Sequence, residues 1–276
     1  MLIQQRESST KINVCLVGAG ADMPIDIPMV RRSLYTIAEQ HYGLPRFYNG
    51  YPENGGTPQA QPVPTMLAQA VEVVPRNWNG WLTLDADSWS LLDFGNDVAF
   101  KAQCISEARF KLPIDATQAQ IEGLAKRELY DCGVGLFNRS ISWLKAARPQ
   151  AKCGVLGWFA DTHTSMEWQP LKRAMGGSFL PVYPREYNQG GYGNVVGYRW
   201  RMCKGTYLPS LAVLRLRYTD EKTGGGTDWW SDTTMREVAD QLRGEPEIGI
   251  WDDPPTPEIA AQYPAQIARL IAALGW

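Results

Sequence analysis

WLTLDADSW, residues 81 to 89, is the stretch on which the fold turns. A short run of apolar and β-branched residues leads straight into two aspartates, Asp85 and Asp87, with a tryptophan at either end. Such a run, bounded by acidic turn residues, is the pattern of a buried strand that ends in a loop. Side chains alternate along an extended chain, so Asp85 and Asp87 project to one side. Two carboxylates that close resist ionising together, and one of them tends to keep a proton near neutrality. A general acid needs that proton, and an apolar wall such as Trp89 or Trp251 favours it further. The same letters also fit a helix cap, with DADS opening a turn before WSLLDF.

Strand-like runs alternate with helical patterns on both sides of this stretch. INVCLVGAG (12–20) reads as a first strand and VRRSLYTIAEQHYG (30–43) as a helix stopping at glycine. RFYNGYP reads as a second strand entering a loop, and PTMLAQAVEVVP (64–75) as a helix. The quoted strand is then the third, and a long helix is expected from about Ala116 to Arg148. AKCGVLGWFAD, GGSFLPVYP, SLAVLRLRY and PEIGIWDD supply later strands, with helices near 194–204, 232–243 and 257–273. Alternation of this kind predicts an α/β protein, a parallel sheet with helices outside. A length of 276 residues is the usual size of one (β/α) barrel, and no repeat or linker divides the chain, so one domain over residues 1–276 is expected.

Composition removes several classes of function. A formal charge of -2 provides no basic field, which argues against nucleic acid or an anionic membrane surface as partner. The five cysteines are widely spaced and form no CxxC pattern, and there are only two histidines, so neither a zinc site nor another metal or cofactor is expected. GAGADMP after the first strand lacks the third glycine of a dinucleotide-binding turn and reads as a strand-end loop. MLIQQRESSTK has no apolar core of a secretion signal, and no apolar run is long enough to span a bilayer. The expectation is therefore synthesis in the cytoplasm. The 11 tryptophans and 12 tyrosines, many beside glycine, proline or acidic residues, suit a wet sugar-binding cleft as well as a large core.

FYNGYPENGGTPQ (47–59) followed by LTLDADSW resembles the hyaluronidase family of glycoside hydrolases, family 56. That family carries an NGG-x-PQ loop ahead of a strand ending in Asp-x-Glu and a tryptophan. ELYDCGVGLFNRSISWLKAARPQAKCGVLGWFAD, LRLRYTDE and IGIWDD are similar to its later elements, so the resemblance covers roughly residues 12–253. It implies a distorted TIM-like barrel of seven or eight strands whose groove binds a polysaccharide containing N-acetylhexosamine. Asp85 would orient the substrate's acetamido group, whose oxygen attacks the anomeric carbon, and Asp87 would act as the acid and then the base. This is a retaining, substrate-assisted route rather than one with a protein nucleophile.

Position 87 departs from the family, which has glutamate there. The acid is one methylene shorter, and a misplacement of about 1 Å can cost roughly 100-fold in rate. Tyr183 in FLPVYP matches a strand-end tyrosine supporting the acetamido group, although a core tyrosine fits as well. Trp251 in IGIWDD matches a tryptophan flooring a sugar subsite. Asp161, His163, Trp89 and Tyr51 complete the candidate groove, His163 fitting a plain surface loop equally. Asp252 and Asp253 are extra groove carboxylates or, the closer fit, the cap before PPTPEIAAQ. The resemblance thus implies a divergent bacterial or phage-type enzyme on a polysaccharide, peptidoglycan included, released by lysis or carried in a virion or tail assembly. Two rival expectations stand beside it: a carbohydrate-binding or virion structural protein that kept the barrel, and a different barrel hydrolase using Asp161 or Asp252.

Overall fold

The computed structural model describes residues 11–37, 47–48, 51–52, 71–72, 74–85, 98–156, 173–174, 176–184, 191–205, 208–218 and 228–276. In chain order the first strands are β1 (Ile12–Leu16), β2 (Val30–Arg31), β3 (Leu34–Ile37), β4 (Phe47–Tyr48), β5 (Tyr51–Pro52) and β6 (Trp81–Asp85). Helices α1 (Val98–Phe110) and α2 (Gln118–Ala147) follow, then strands β7 (Lys152–Leu156) and β8 (Ser178–Val182). Helix α3 (Tyr192–Lys204), strand β9 (Ser210–Leu214), helix α4 (Asp232–Leu242) and strand β10 (Ile248–Asp252) come next. Helices α5 (Pro257–Ala260) and α6 (Tyr263–Leu274) end the chain.

The chain forms two compact units, one of Met1–Leu34, Phe179–Gly205 and Ser210–Trp276, the other of Tyr35–Ser178 and Thr206–Pro209. In the first unit the strands run in the order β2-β1-β10-β9-β8. β1 lies parallel to β10 from Ile12 opposite Ile248 to Leu16 opposite Asp252, and β10 lies parallel to β9 through Gly249 opposite Val213. Ile12, Val14, Leu211, Leu214, Ile248 and Ile250 are buried, and the unbroken apolar runs follow from strands covered on both faces. In the second unit the order is β7-β6-β3, with β6 parallel to β7 from Trp81 opposite Lys152 to Asp85 opposite Leu156. Parallel neighbours need a crossover, which α1 and α2 supply between β6 and β7.

Helix α2 begins at a capping box in which Thr117 and Gln120 satisfy each other's backbone groups. Its buried stripe, Ile121, Ala125, Phe137, Ile141 and Leu144, follows the helical repeat. Arg148 at its end turns inward and donates to the carbonyls of Val71 and Val74 at 2.6 Å each, which explains an arginine before the proline turn.

Three expectations from sequence are corrected. Residues 30–37, read as the start of a helix, form strands β2 and β3, and the remainder of that stretch lies outside the described residues. Arg32 donates to the carbonyls of Gly20 and Met23, Ser33 Oγ donates to Asn13 Oδ1 at 2.6 Å, and Val30 and Arg31 pair with β1, so tertiary contacts override the helical spacing. The described residues of RFYNGYP lie outside the parallel set: Phe47 pairs with Pro52 and Tyr48 with Tyr51 as an antiparallel ribbon, and the sequence between them is Asn-Gly, the dipeptide that hairpin turns favour. The last helix is two, because Pro264 in the first turn of α6 cannot continue α5. Helix α1 had no counterpart in the sequence pattern, since its apolar residues form no single stripe.

Candidate functional site

The C-terminal ends of β8, β9 and β10 carry a cluster of aromatic and charged side chains. β10 ends in Trp251 and Asp252, and alternation sends them to opposite sides of the strand. Trp251 is partly exposed, and its ring lies 6.2 Å from that of Tyr183, centroid to centroid, with the planes 32° apart. Tyr183 directly follows β8 and is also partly exposed, with its hydroxyl oxygen buried. Two rings so placed offer apolar faces of the kind that stack on sugar rings.

Asp252 points into the protein and is fully buried, as is Arg217. Arg217 grips the carboxylate with two nitrogens, Nε to Oδ2 at 2.9 Å and Nη2 to Oδ1 at 2.7 Å. Arg215, 8 % exposed, brings Nε to 2.9 Å from Oδ1, an ion pair off the hydrogen-bond direction. The backbone N–H of Asp253 donates to the same oxygen at 2.8 Å, and Val17 N–H donates to the Asp252 carbonyl at 3.0 Å. Charges so far from water persist only when paired and hydrogen-bonded, as Arg217 and Asp252 are, with Arg215 adding a second cation. Gly18, at the start of the turn after β1, has φ of 53°, and a Cβ there would fall 2.3 Å from Asp253 Oδ1. The GAG sequence thus serves close backbone approach, as a strand-end loop.

The cap expectation for Asp252 and Asp253 is overturned. Thr256 is the N-cap of α5, its hydroxyl accepting from Ile259 N–H. Asp252 is instead the centre of a buried ion triad, with both oxygens engaged, so neither a groove carboxylate nor the acid of an alternative hydrolase fits it. Sequence reasoning passed over Arg215 and Arg217. The signal was present in LRLRY, where two arginines at period two interrupt a core strand and call for a carboxylate on a neighbouring strand.

Asp85 is the last residue of β6, opposite Leu156, at the C-terminal end of a strand whose Trp81, Leu82, Thr83 and Leu84 are buried. Its backbone position is that of a strand-end carboxylate, and its side chain lies outside the described residues. Tyr51 sits in β5 opposite Tyr48, its side chain likewise outside the description. Asp87, Trp89, Asp161 and His163 lie outside the described residues. Among the described residues Tyr183 and Trp251 are therefore the candidates brought together. No cluster of three or more histidine, cysteine, aspartate or glutamate residues among the described ones is placed to hold a metal ion. No helix among them is long and apolar enough to cross a membrane.

No family model and no curated protein matches the chain. Solved structures do. Bee venom hyaluronidase superposes with a TM-score of 0.70 at 16% identity, over 88% of this chain and 87% of the other. The chain has the hyaluronidase fold. A second structure of bee venom hyaluronidase, in complex with a hyaluronic acid tetramer, gives a TM-score of 0.65 at 15% identity over 90% and 89% of the two chains. The architecture is accordingly a TIM-like (β/α) barrel, as the alternation of strands and helices predicts.

Proposed function

We propose that the protein is a hyaluronidase-like endo-glycosidase that hydrolyses a polysaccharide containing N-acetylhexosamine. The observation that carries this reading is the pairing of Tyr183 and Trp251 at the C-terminal strand ends of a hyaluronidase-like barrel, the end where such folds place their sites. The strand ending in Asp85 supports it, because the backbone of Asp85, the first residue of the DAD sequence, lies at a C-terminal strand end. On this reading residues 1–276 act as one catalytic domain. Tyr183 and Trp251 stack on the sugar, with Tyr51, Trp89, Asp161 and His163 as further groove residues.

Asp85 orients the acetamido group, so that its carbonyl oxygen attacks the anomeric carbon as the glycosidic bond breaks. Asp87 gives its proton to the leaving oxygen. The resulting carboxylate then takes a proton from water, which attacks the same carbon and frees the acetamido oxygen. Two inversions give overall retention, and the substrate supplies the nucleophile. As part of the same proposal, the enzyme is a divergent bacterial or phage-type member, meeting its polysaccharide through lysis or a virion.

The test is release of reducing ends from hyaluronan, chondroitin, bacterial capsules and peptidoglycan by the wild type and Asp87→Asn. Loss of a general acid predicts a fall of about 10²- to 10⁴-fold. The shorter acid at position 87 favours a second reading, a sugar-binding protein that has lost the chemistry. That reading predicts no cleavage by either form and equal glycan binding by both.

A further inference from the structure

Asp252 follows Trp251 directly, so whatever fixes the carboxylate also fixes the peptide from which the indole projects. Arg217 holds the carboxylate with two nitrogens, Arg215 pairs with it and the Asp253 N–H donates to it, while the Val17 N–H donates to the Asp252 carbonyl. Arg217 Nη2 also donates to the Asp253 carbonyl at 3.1 Å, tying down the next residue. Arg215 reaches the other ring's strand as well. Its backbone N–H donates to the carbonyl of Val182 at 3.2 Å, the residue before Tyr183. One residue thus holds the base of Trp251 through its side chain and the base of Tyr183 through its main chain.

Stability alone gives little reason for such a cluster. A buried ion pair or triad is commonly matched or exceeded in stability by apolar residues of similar volume. What directional, two-pronged pairing adds is a fixed geometry. A ring platform for a sugar needs that, since a shift of about 1 Å can cost roughly 100-fold in rate.

We propose that Arg215, Arg217 and Asp252 are positioning residues that hold Trp251 and Tyr183 in the arrangement of a platform for a sugar ring. The inference rests on the reading of those two rings as a sugar platform. Asp252→Asn is the direct variant, but it leaves two guanidinium groups without their counter-charge and risks unfolding. Arg217→Lys keeps the charge and gives up the two-pronged grip.

The experiment uses the full chain labelled with 5-fluorotryptophan. The fluorine resonance of Trp251 is assigned by its loss in Trp251→Phe, and that of Trp276, which packs against Lys11 at the opposite end of β1, by its loss in Trp276→Phe. In Arg217→Lys the Trp251 resonance is expected to move or broaden while that of Trp276 stays in place. Affinity for a hyaluronan tetrasaccharide is expected to fall by about tenfold, the equivalent of roughly 1.4 kcal/mol. An unmoved Trp251 resonance in folded Arg217→Lys with a lowered melting temperature overturns the proposal and leaves the triad as a structural staple. If the wild type binds no tetrasaccharide, the platform reading fails by itself, and the fluorine shift still decides whether the triad positions Trp251.

Discussion

Two strands of this protein end alike in sequence and beside different neighbours. β6 reads WLTLD and β10 reads IGIWD, each five residues long and each closing on aspartate. Beside β10 runs β9, whose continuation delivers Arg215 and Arg217 to Asp252. Beside β6 runs β7, whose cation stands at the other end. Lys152 faces Trp81 on the first rung, its ammonium 4.7 Å from the indole centroid, and the last rung sets Leu156 opposite Asp85. A strand-end aspartate is thus drawn into the protein where the neighbouring strand supplies guanidinium groups at the same end. At the end of β6 the neighbouring strand β7 sets a leucine, Leu156, opposite the backbone of Asp85.

The comparison breaks if the two aspartates respond alike to loss of charge. On the proposed function, Asp85→Asn is expected to lower glycan cleavage by about 100-fold or more, the scale of a misoriented reacting group, with little change in melting temperature. Asp252→Asn is expected to cost about 3–5 kcal/mol of stability, because it removes one partner of a buried ion cluster. That corresponds to a fall on the order of 10 °C in a thermal melt for a chain of this size. Reducing-end assays and melts on both variants decide between the two fates. A normal melt for Asp252→Asn would mean that its arginines find other partners.

What the sequence made legible was what local pattern can encode. β1, β6, β7, β8, β9 and β10 are continuous apolar runs, and α2 and α4 carry buried stripes at helical spacing, with Met235, Val238, Ala239 and Leu242 lining α4. The stretch 30–37 was misread because its conformation is set by partners elsewhere, β1 for Val30 and Arg31, the Gly20 and Met23 carbonyls for Arg32, and Asn13 for Ser33. The same holds at the site. Trp251 and Tyr183 could be named from the resemblance to the hyaluronidase family, but the fate of Asp252 depends on Arg217, 35 residues upstream and one strand away. Neighbouring strands share no local signal; only the charge interrupting LRLRY hinted at the pairing.

Cys153 sharpens the picture of the β6–β7 side. It lies opposite Leu82 in the register, 2 % exposed, and burial pushes its thiol up to about 11, with the nearby Lys145 ammonium acting in the opposite direction. In the unfolded chain the thiol ionises near 9.0, so between that pH and about 11 the unfolded state has lost a proton the folded state keeps. Stability then falls as pH rises through this window, by about 2–3 kcal/mol at most, and is unaffected below it. Urea melts at pH 8, 9.5 and 11 on wild type and Cys153→Ala measure the difference. A Cys153→Ala protein with the same alkaline slope as wild type would show that β7 is wetter there than its burial indicates.

The smallest effect tests which residue closes the loop after β10. If Thr256 is the cap of α5, Thr256→Ala should cost about 1 kcal/mol or less, since the bond to Ile259 N–H is long at 3.4 Å and α5 has only four residues. The hydroxyl has a second effect that burial cannot imitate. Glu258 is fully exposed, and its carboxyl is held below the ordinary glutamate value first by the hydrogen bond with Thr256 and then by its own backbone. Removing the hydroxyl should raise the Glu258 midpoint toward that ordinary value, a change readable by carbon-detected NMR titration. Asp253→Ala should leave that midpoint where it is, because Asp253 lies against Gly18 and takes no part in the α5 cap. A midpoint that moves in Asp253→Ala and not in Thr256→Ala would return the cap to the aspartates, and the turn after Trp251 would then be held by charge on both sides of the strand.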